Sequence, residues 1–344
     1  MKINTLICGL LLGVLFCSCG DNEASSPSNM EKNWYVIEYD PNASELDKLR
    51  YEIYDETGFA IFYNDTLGVQ TRYDKGGKPY TYYEIFQPGY NFSSSFSSSK
   101  MSLLCDEGKL YTMVELLRDD VLLPYFNKPV ARGRYGPHAF LIVDSLYKIE
   151  NKKVILDTLK WDLGILVLST RSMMTKEIVN NVNIYKSIDE LTEEDKKEYG
   201  WRIAMLELQR YLEKNYGDEI TAYYDITKES PDLDGYPHDL FEIAEKAKSY
   251  NYKQSATNNG IKEYNFELDN PRKYGVLRFM KVDANNVHFP SCLMDISEFT
   301  RMIYTKTDAE IRAEHGEFPM IIKRYEALLN LLKKSGLTQF IKEQ

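Results

Sequence analysis

Four histidines, His138, His238, His288 and His315, are the only imidazoles of the chain, and no two are near enough in sequence to share a helical turn. No helix face can therefore offer a divalent metal two imidazole ligands at i and i+4. Each reads as a structural residue; His238, after Pro237 at a predicted helix start, is tolerated there as a neutral ring. A nucleophile elbow G-x-S-x-G, a phosphate-cradling P-loop and a dinucleotide-binding G-x-G-x-x-G are absent from the sequence. Acid pairs exist at Asp119-Asp120 and at Asp232 with Asp234, but both lie beside loop or helix-end signals and read as solvated charge. Asp232-Leu233-Asp234-Gly235 lacks the remaining oxygen ligands of a calcium loop, and Gly133-Arg134-Tyr135-Gly136 is turn chemistry.

The thiols are more telling. Met1-Lys2 precedes an apolar stretch from Ile3 to Phe16, too short to span a bilayer, which ends in Phe16-Cys17-Ser18-Cys19-Gly20. This resembles a bacterial lipobox with small Ser18 before the cut and Cys19 as the acylated residue; Phe16 departs from the usual Leu. Residues 1–18 are thus expected to be a lipoprotein signal peptide. Residues 19–33 read as the lipidated Cys and a flexible tether, polar and without apolar periodicity. Asp21 and Glu23 partly match the surface-export signal of Bacteroidetes lipoproteins. The expectation is an outer membrane lipoprotein held through lipid on Cys19, displayed on the cell surface or otherwise facing the periplasm.

Cys8 and Cys17 leave with the signal, so Cys105 and Cys292 are the remaining thiols, and whether they pair is open. The formal net charge is −10, and loss of Lys2 makes it one unit more negative. An acidic chain without a basic stripe excludes nucleic acid as a partner and electrostatic adhesion to a membrane. Tyrosine is abundant at 27 residues. Such rings stack on sugars when exposed, but the plainer expectation is half-buried packing with the hydroxyl in water.

Residues 34–344 are expected to form one globular α+β domain, with a mixed sheet in the N-terminal half and a mostly helical C-terminal half. Trp34–Tyr39, Phe59–Tyr63, His138–Val143, Lys153–Leu156 and Leu163–Leu168 read as strands, the last as a central one because Gly164-Ile165-Leu166-Val167-Leu168 is continuously apolar. Ser44 and Asp47 start a helix that Gly58 ends. Residues 64–100, with Gly76-Gly77 and the Ser93–Ser99 cluster, read as loop. A helix over Lys109–Leu123 stops at Pro124, and the chain turns helical beyond Thr175. The capping signature Thr192-Glu193-Glu194-Asp195 opens a long helix to about Asn215 with Trp201, Met205, Leu208 and Leu212 on one face. Shorter helices are predicted at 218–226, 238–250, 294–304 and 318–334. No period indicates a repeat architecture.

Several stretches resemble the zinc metallopeptidase lipoproteins associated with TonB-dependent substrate import in Bacteroidetes. They are Ile37-Glu38-Tyr39-Asp40 with Ser44–Lys48 after the lipobox, the Gly164–Leu168 strand before a long helix, Asp295-Ile296-Ser297-Glu298-Phe299, and Phe318–Tyr325. The resemblance implies a zincin-like (gluzincin-like) fold. That family carries H-E-x-x-H on the long helix; the matching stretch here is Leu206-Glu207-Leu208-Gln209-Arg210. Glu207 keeps the general-base carboxylate, but Leu206 and Arg210 stand where imidazoles are needed, and a permanent guanidinium repels Zn²⁺. The resemblance implies a scaffold without catalytic residues, metal or cofactor, on which Glu207 and Arg210 are surface or cleft residues that pair weakly. The function it implies is a non-catalytic surface lipoprotein of a nutrient-uptake system, binding a partner or ligand, with TonB-dependent uptake proteins as candidate partners. A hydrolase of unknown class and a glycan-binding lipoprotein are the alternatives.

Overall fold

The computed structural model describes residues 32–88, 99–126, 135–179, 182–230, 250–251, 270–281, 286–288 and 290–342. The signal and Cys19, residues 93–98 of the serine cluster, Gly133-Arg134, Asp232–Gly235, His238 and most of the 238–250 helix lie outside them. The chain divides into Met1–Trp34 and Tyr35–Gln344, and the second unit carries all the elements that follow.

In chain order these are α1 (Glu45–Thr57), β1 (Ala60–Phe62), β2 (Thr66–Tyr73), β3 (Pro79–Ile85), β4 (Lys100–Ser102) and α2 (Glu107–Leu116), which runs on into a π-helix, Leu117–Phe126. Then come β5 (Ala139–Val143), β6 (Ser145–Glu150), β7 (Lys153–Asp157), β8 (Leu159–Asp162), β9 (Ile165–Ser169), β10 (Met174–Val179) and β11 (Val182–Lys186). The rest is α3 (Glu193–Asn215), α4 (Gly217–Asp225), the short strands β12 (Tyr250–Asn251), β13 (Met280–Lys281) and β14 (Asn286–His288), α5 (Cys292–Thr305), α6 (Asp308–His315) and α7 (Pro319–Ser335). The class is mixed α+β.

The sheet that organises the core has the order β1-β5-β9-β8. β1, β5 and β9 run parallel, and β8 returns antiparallel along the edge, with Trp161 opposite Leu166. Every residue of β5 and β9 is buried, as a continuous apolar run requires when both faces are covered. Alternation then divides the strands. Ile61, Phe140, Ile142, Leu166 and Leu168 face the helices, while Ala60, Phe62, Ala139, Leu141, Val143, Ile165 and Val167 face a smaller cluster with Phe86 and Leu146. β9 is central, as its composition predicts. It starts at Ile165 because Leu163 and Gly164, with φ of 48° and 84°, make the two-residue turn from β8.

Helix starts follow the capping chemistry. Ser44 Oγ accepts from the Asp47 amide at 3.1 Å, and left-handed Gly58 closes α1. Thr192 and Asp195 form the reciprocal box at α3, where the Thr192 amide donates to Asp195 Oδ2 at 2.9 Å. Lys186 also reaches that carboxylate at 2.8 Å, and this bond together with the cap bonds holds its pKa down at about 2.

Four expectations are corrected. Trp34–Tyr39 is not a strand; Tyr35 and Ile37 instead pack on the smaller cluster as side chains. Pro124 does not stop its helix. The chain passes it in the wider π turns, which make room for a ring with no N–H to give. Residues 66–85 are the β2–β3 hairpin rather than loop; its strands are half-exposed, and Val69, Tyr73, Tyr83 and Ile85 lie on a face that the core does not cover. Helix does not begin beyond Thr175, since β10 and β11 occupy the chain to Lys186.

The π-helix and α3 are the tightest helix pair. A Cβ on Gly200 would stand 1.9 Å from the Asp120 carbonyl oxygen, so only glycine permits this approach. Among the described residues, no helix is long and apolar enough to cross a membrane.

Candidate functional site

The long helix α3 carries Glu207 beneath the edge strand β8. The β8–β9 hairpin turns Trp161 toward the helix, and the indole Nε1–H donates to Glu207 Oε1 at 2.7 Å. One turn further along α3, the Arg210 guanidinium lies over the indole ring, 3.7 Å from its centroid. The three side chains thus form a stack with the indole in contact with both charged groups. They line a cleft of about 370 Å³, with His138, Tyr211 and Lys214 around its mouth.

Glu207 is 2% exposed. Glu207 and Arg210, expected as surface or cleft residues that pair weakly, both line the cleft, but the hydrogen bond of Glu207 goes to Trp161, which a reading along one helix cannot supply. Burial disfavours the charged form and raises the carboxyl pKa to about 7; the Trp161 hydrogen bond and the Arg210 charge oppose the rise without cancelling it. Leu206 is half-buried and packs on the helical core. Tyr135, fully enclosed, donates to the Ala204 carbonyl at 2.9 Å and so fastens the segment before β5 to α3. Its own pKa is driven well up by burial and by the neighbouring Glu207 charge.

His138 is exposed and stacks on Tyr35 at 5.5 Å. Its ring edge lies where a Cβ on Gly164 would come within 2.4 Å, so the β8–β9 turn and the ring hold each other in place. Its amide donates to the Gly164 carbonyl at 2.7 Å.

A zinc ion does not fit this donor set. Among the described residues lining the cleft, His138 and Glu207 are the only His, Cys, Asp or Glu side chains, one oxygen of Glu207 is committed to an indole N–H, and a guanidinium stands beside it. Among the described residues, no three His, Cys, Asp or Glu side chains converge as a metal site. His315 is buried on α6, where burial lowers its pKa, and does not line the cleft. His288 is in β14. Asp119 is taken up by Arg118 at 2.7 Å on the π-helix, in keeping with solvated charge. Cys105 is exposed, Cys292 half-buried, and no disulfide joins them.

Trp161 and Lys214 go unmarked in the sequence, while His138 reads there as a structural histidine and Tyr135 as part of a turn. Lys214 alone left a trace, as it shares a face with Glu207 and Arg210 at helical spacing. The other three come from different elements and meet α3 only through the sheet.

A second polar cluster lies elsewhere in the helical half. Arg324 on α7 donates to both oxygens of Asp295 on α5, at 2.9 and 2.5 Å, and to the Gly275 carbonyl at 2.6 Å. Tyr223 on α4 donates to the same carboxylate at 2.7 Å. The rings of Tyr223 and Phe299 stand 4.2 and 4.6 Å from the guanidinium carbon. Asp295 and Phe299, and separately Arg324, fall in the C-terminal stretches that carry the family resemblance, and the fold brings them together.

No family model, curated protein or solved structure matches this chain.

Proposed function

We propose that this chain is a non-catalytic lipoprotein of a nutrient-uptake system, anchored through lipid on Cys19 at the outer membrane, and that its zincin-like scaffold binds a ligand in the cleft at Glu207. The single observation that supports it is the stack of Glu207, Trp161 and Arg210. A metallopeptidase base must face a metal-activated water; here the carboxyl faces an indole N–H and the flanking positions are Leu206 and Arg210. The placement of the helix beneath an antiparallel edge strand suits the resemblance, and the replaced ligands suit the loss of chemistry. Surface display and work beside TonB-dependent proteins belong to the same reading, on the lipobox and on Asp21 and Glu23.

Two measurements test it. Protein incubated with zinc and then dialysed is expected to retain far less than one equivalent; stoichiometric zinc that is lost in Glu207→Ala overturns the reading. Growth on labelled palmitate is expected to mark the wild-type chain and not Cys19→Ser.

A second reading, a hydrolase of unknown class, draws on the same carboxyl. A buried acid titrating near neutrality in a cleft has the property that acid–base catalysis needs. Hydrolysis of any ester, glycoside or peptide panel member that disappears in Glu207→Gln would favour it.

A further inference from the structure

The cleft beside α3 is unlike the rest of an acidic molecule. The chain has a formal charge of −10, yet Arg210 and Lys214 stand one turn apart at the mouth of this cleft. Both are exposed, and among the described residues neither has a carboxylate partner within ion-pair distance. Among the described residues Glu207 is the only acid lining the cleft, and burial raises its pKa to about 7, so that it is partly protonated near neutral pH. The indole face holds the guanidinium carbon of Arg210 3.7 Å from its centroid, and Arg recognises oxyanions through its N–H edge. His138 also lines the cleft. The volume, about 370 Å³, is at the small end of ligand pockets.

From this juxtaposition we infer that the cleft is a binding site for a small organic carboxylate, no larger than a monosaccharide acid, with Arg210 and Lys214 as its counter-charges and Glu207 at its floor. A ligand carboxylate presents two oxygens in one plane to the Arg210 edge, and Lys214 supplies a second, adjustable donor. In its protonated form Glu207 can donate an O–H to an incoming acceptor, and a bound carboxylate favours that form over the charged one. The inference rests on the ligand-binding reading above and names the ligand class.

Calorimetric titration of the full chain tests it with three probes: glucuronate, glucose as its neutral counterpart, and inorganic phosphate. Saturable binding of glucuronate with no binding of glucose is expected. Arg210→Gln is expected to weaken glucuronate by about tenfold or more and Lys214→Gln by several-fold, because each removes a charged hydrogen-bond donor. Lys214 is exposed, so its variant remains informative if the loss of Arg210 from the indole disturbs folding. Glucuronate failing to saturate, glucose binding equally well, phosphate binding more tightly than glucuronate, or both variants binding like wild type would each overturn the assignment. Zinc retention is the separate test of the parent reading. A chain that rejects both zinc and glucuronate refutes the ligand class alone, whereas one that holds zinc refutes the parent.

Discussion

Among the described residues two carboxylic acids are buried, Asp295 and Glu207, and the helices around them treat them in opposite ways. Asp295 meets a bidentate guanidinium and a tyrosine hydroxyl, all enclosed with it. Glu207 receives one indole N–H and opens onto a cleft. Burial is similar in the two places and compensation is not. Full compensation makes a structural tie; partial compensation leaves a group whose charge depends on what arrives beside it. The buried pair is a joint between helices, and the lone acid is where a ligand changes something.

Breaking the joint should have the largest effect. Asp295→Ala leaves Arg324 buried without its counter-charge and is expected to lower stability by about 3–5 kcal/mol in denaturant titration. Gly200→Ala attacks the other side of the comparison through the backbone that positions Glu207. Its methyl meets the Asp120 carbonyl, and neither helix has a rotamer to yield, so a loss of about 3 kcal/mol is expected, read the same way.

Glu207→Gln sharpens the contrast because its sign is reversed. The amide oxygen still accepts from Trp161, but no charge remains to be buried. In the wild type, the carboxyl titrates at about 7 folded against 4.5 ordinarily, so between those values the folded chain holds a proton the unfolded chain has released. Its contribution is complete below 4.5 and is lost as pH rises toward 7. The variant is therefore expected to match wild type near pH 4 and to exceed it by about 3 kcal/mol at pH 8, in parallel urea titrations. An equal difference at both pH values would mean that Glu207 is not buried as a lone acid. The smallest effect is expected at the start of the same helix, where Thr192→Ala removes a cap and costs about 1 kcal/mol of thermal stability.

The legible parts of this fold were those with local causes. Caps at Ser44 and Thr192, the stop at Gly58, the apolar run of β9 and the helical stripe of α3 are all written within a few residues of where they act. What could not be read has non-local causes. The β2–β3 and β10–β11 hairpins pair strand to strand and leave apolar residues such as Val69, Tyr83 and Ile178 exposed, so no buried face marks them as strands. Pro124 looks like a stop until the π turns around it are known. Glu207 could be singled out by a motif remnant, but its burial could not, because the indole that covers it comes from β8, 46 positions away. Asp295 and Arg324 had no pattern to mark them as partners, since they lie 29 positions apart with a third helix between them.

That last separation bears on the order in which the molecule is made. A ribosome delivers Asp295 first, then the whole of α6, and only afterwards the guanidinium that makes its enclosure tolerable. Until Arg324 emerges, α5 carries an acid that resists being covered, and Tyr223 and Phe299 have no cation to sandwich. A chain truncated before Arg324 would bury Asp295 without its counter-charge, so its helical half is expected to close less stably than that of the full chain.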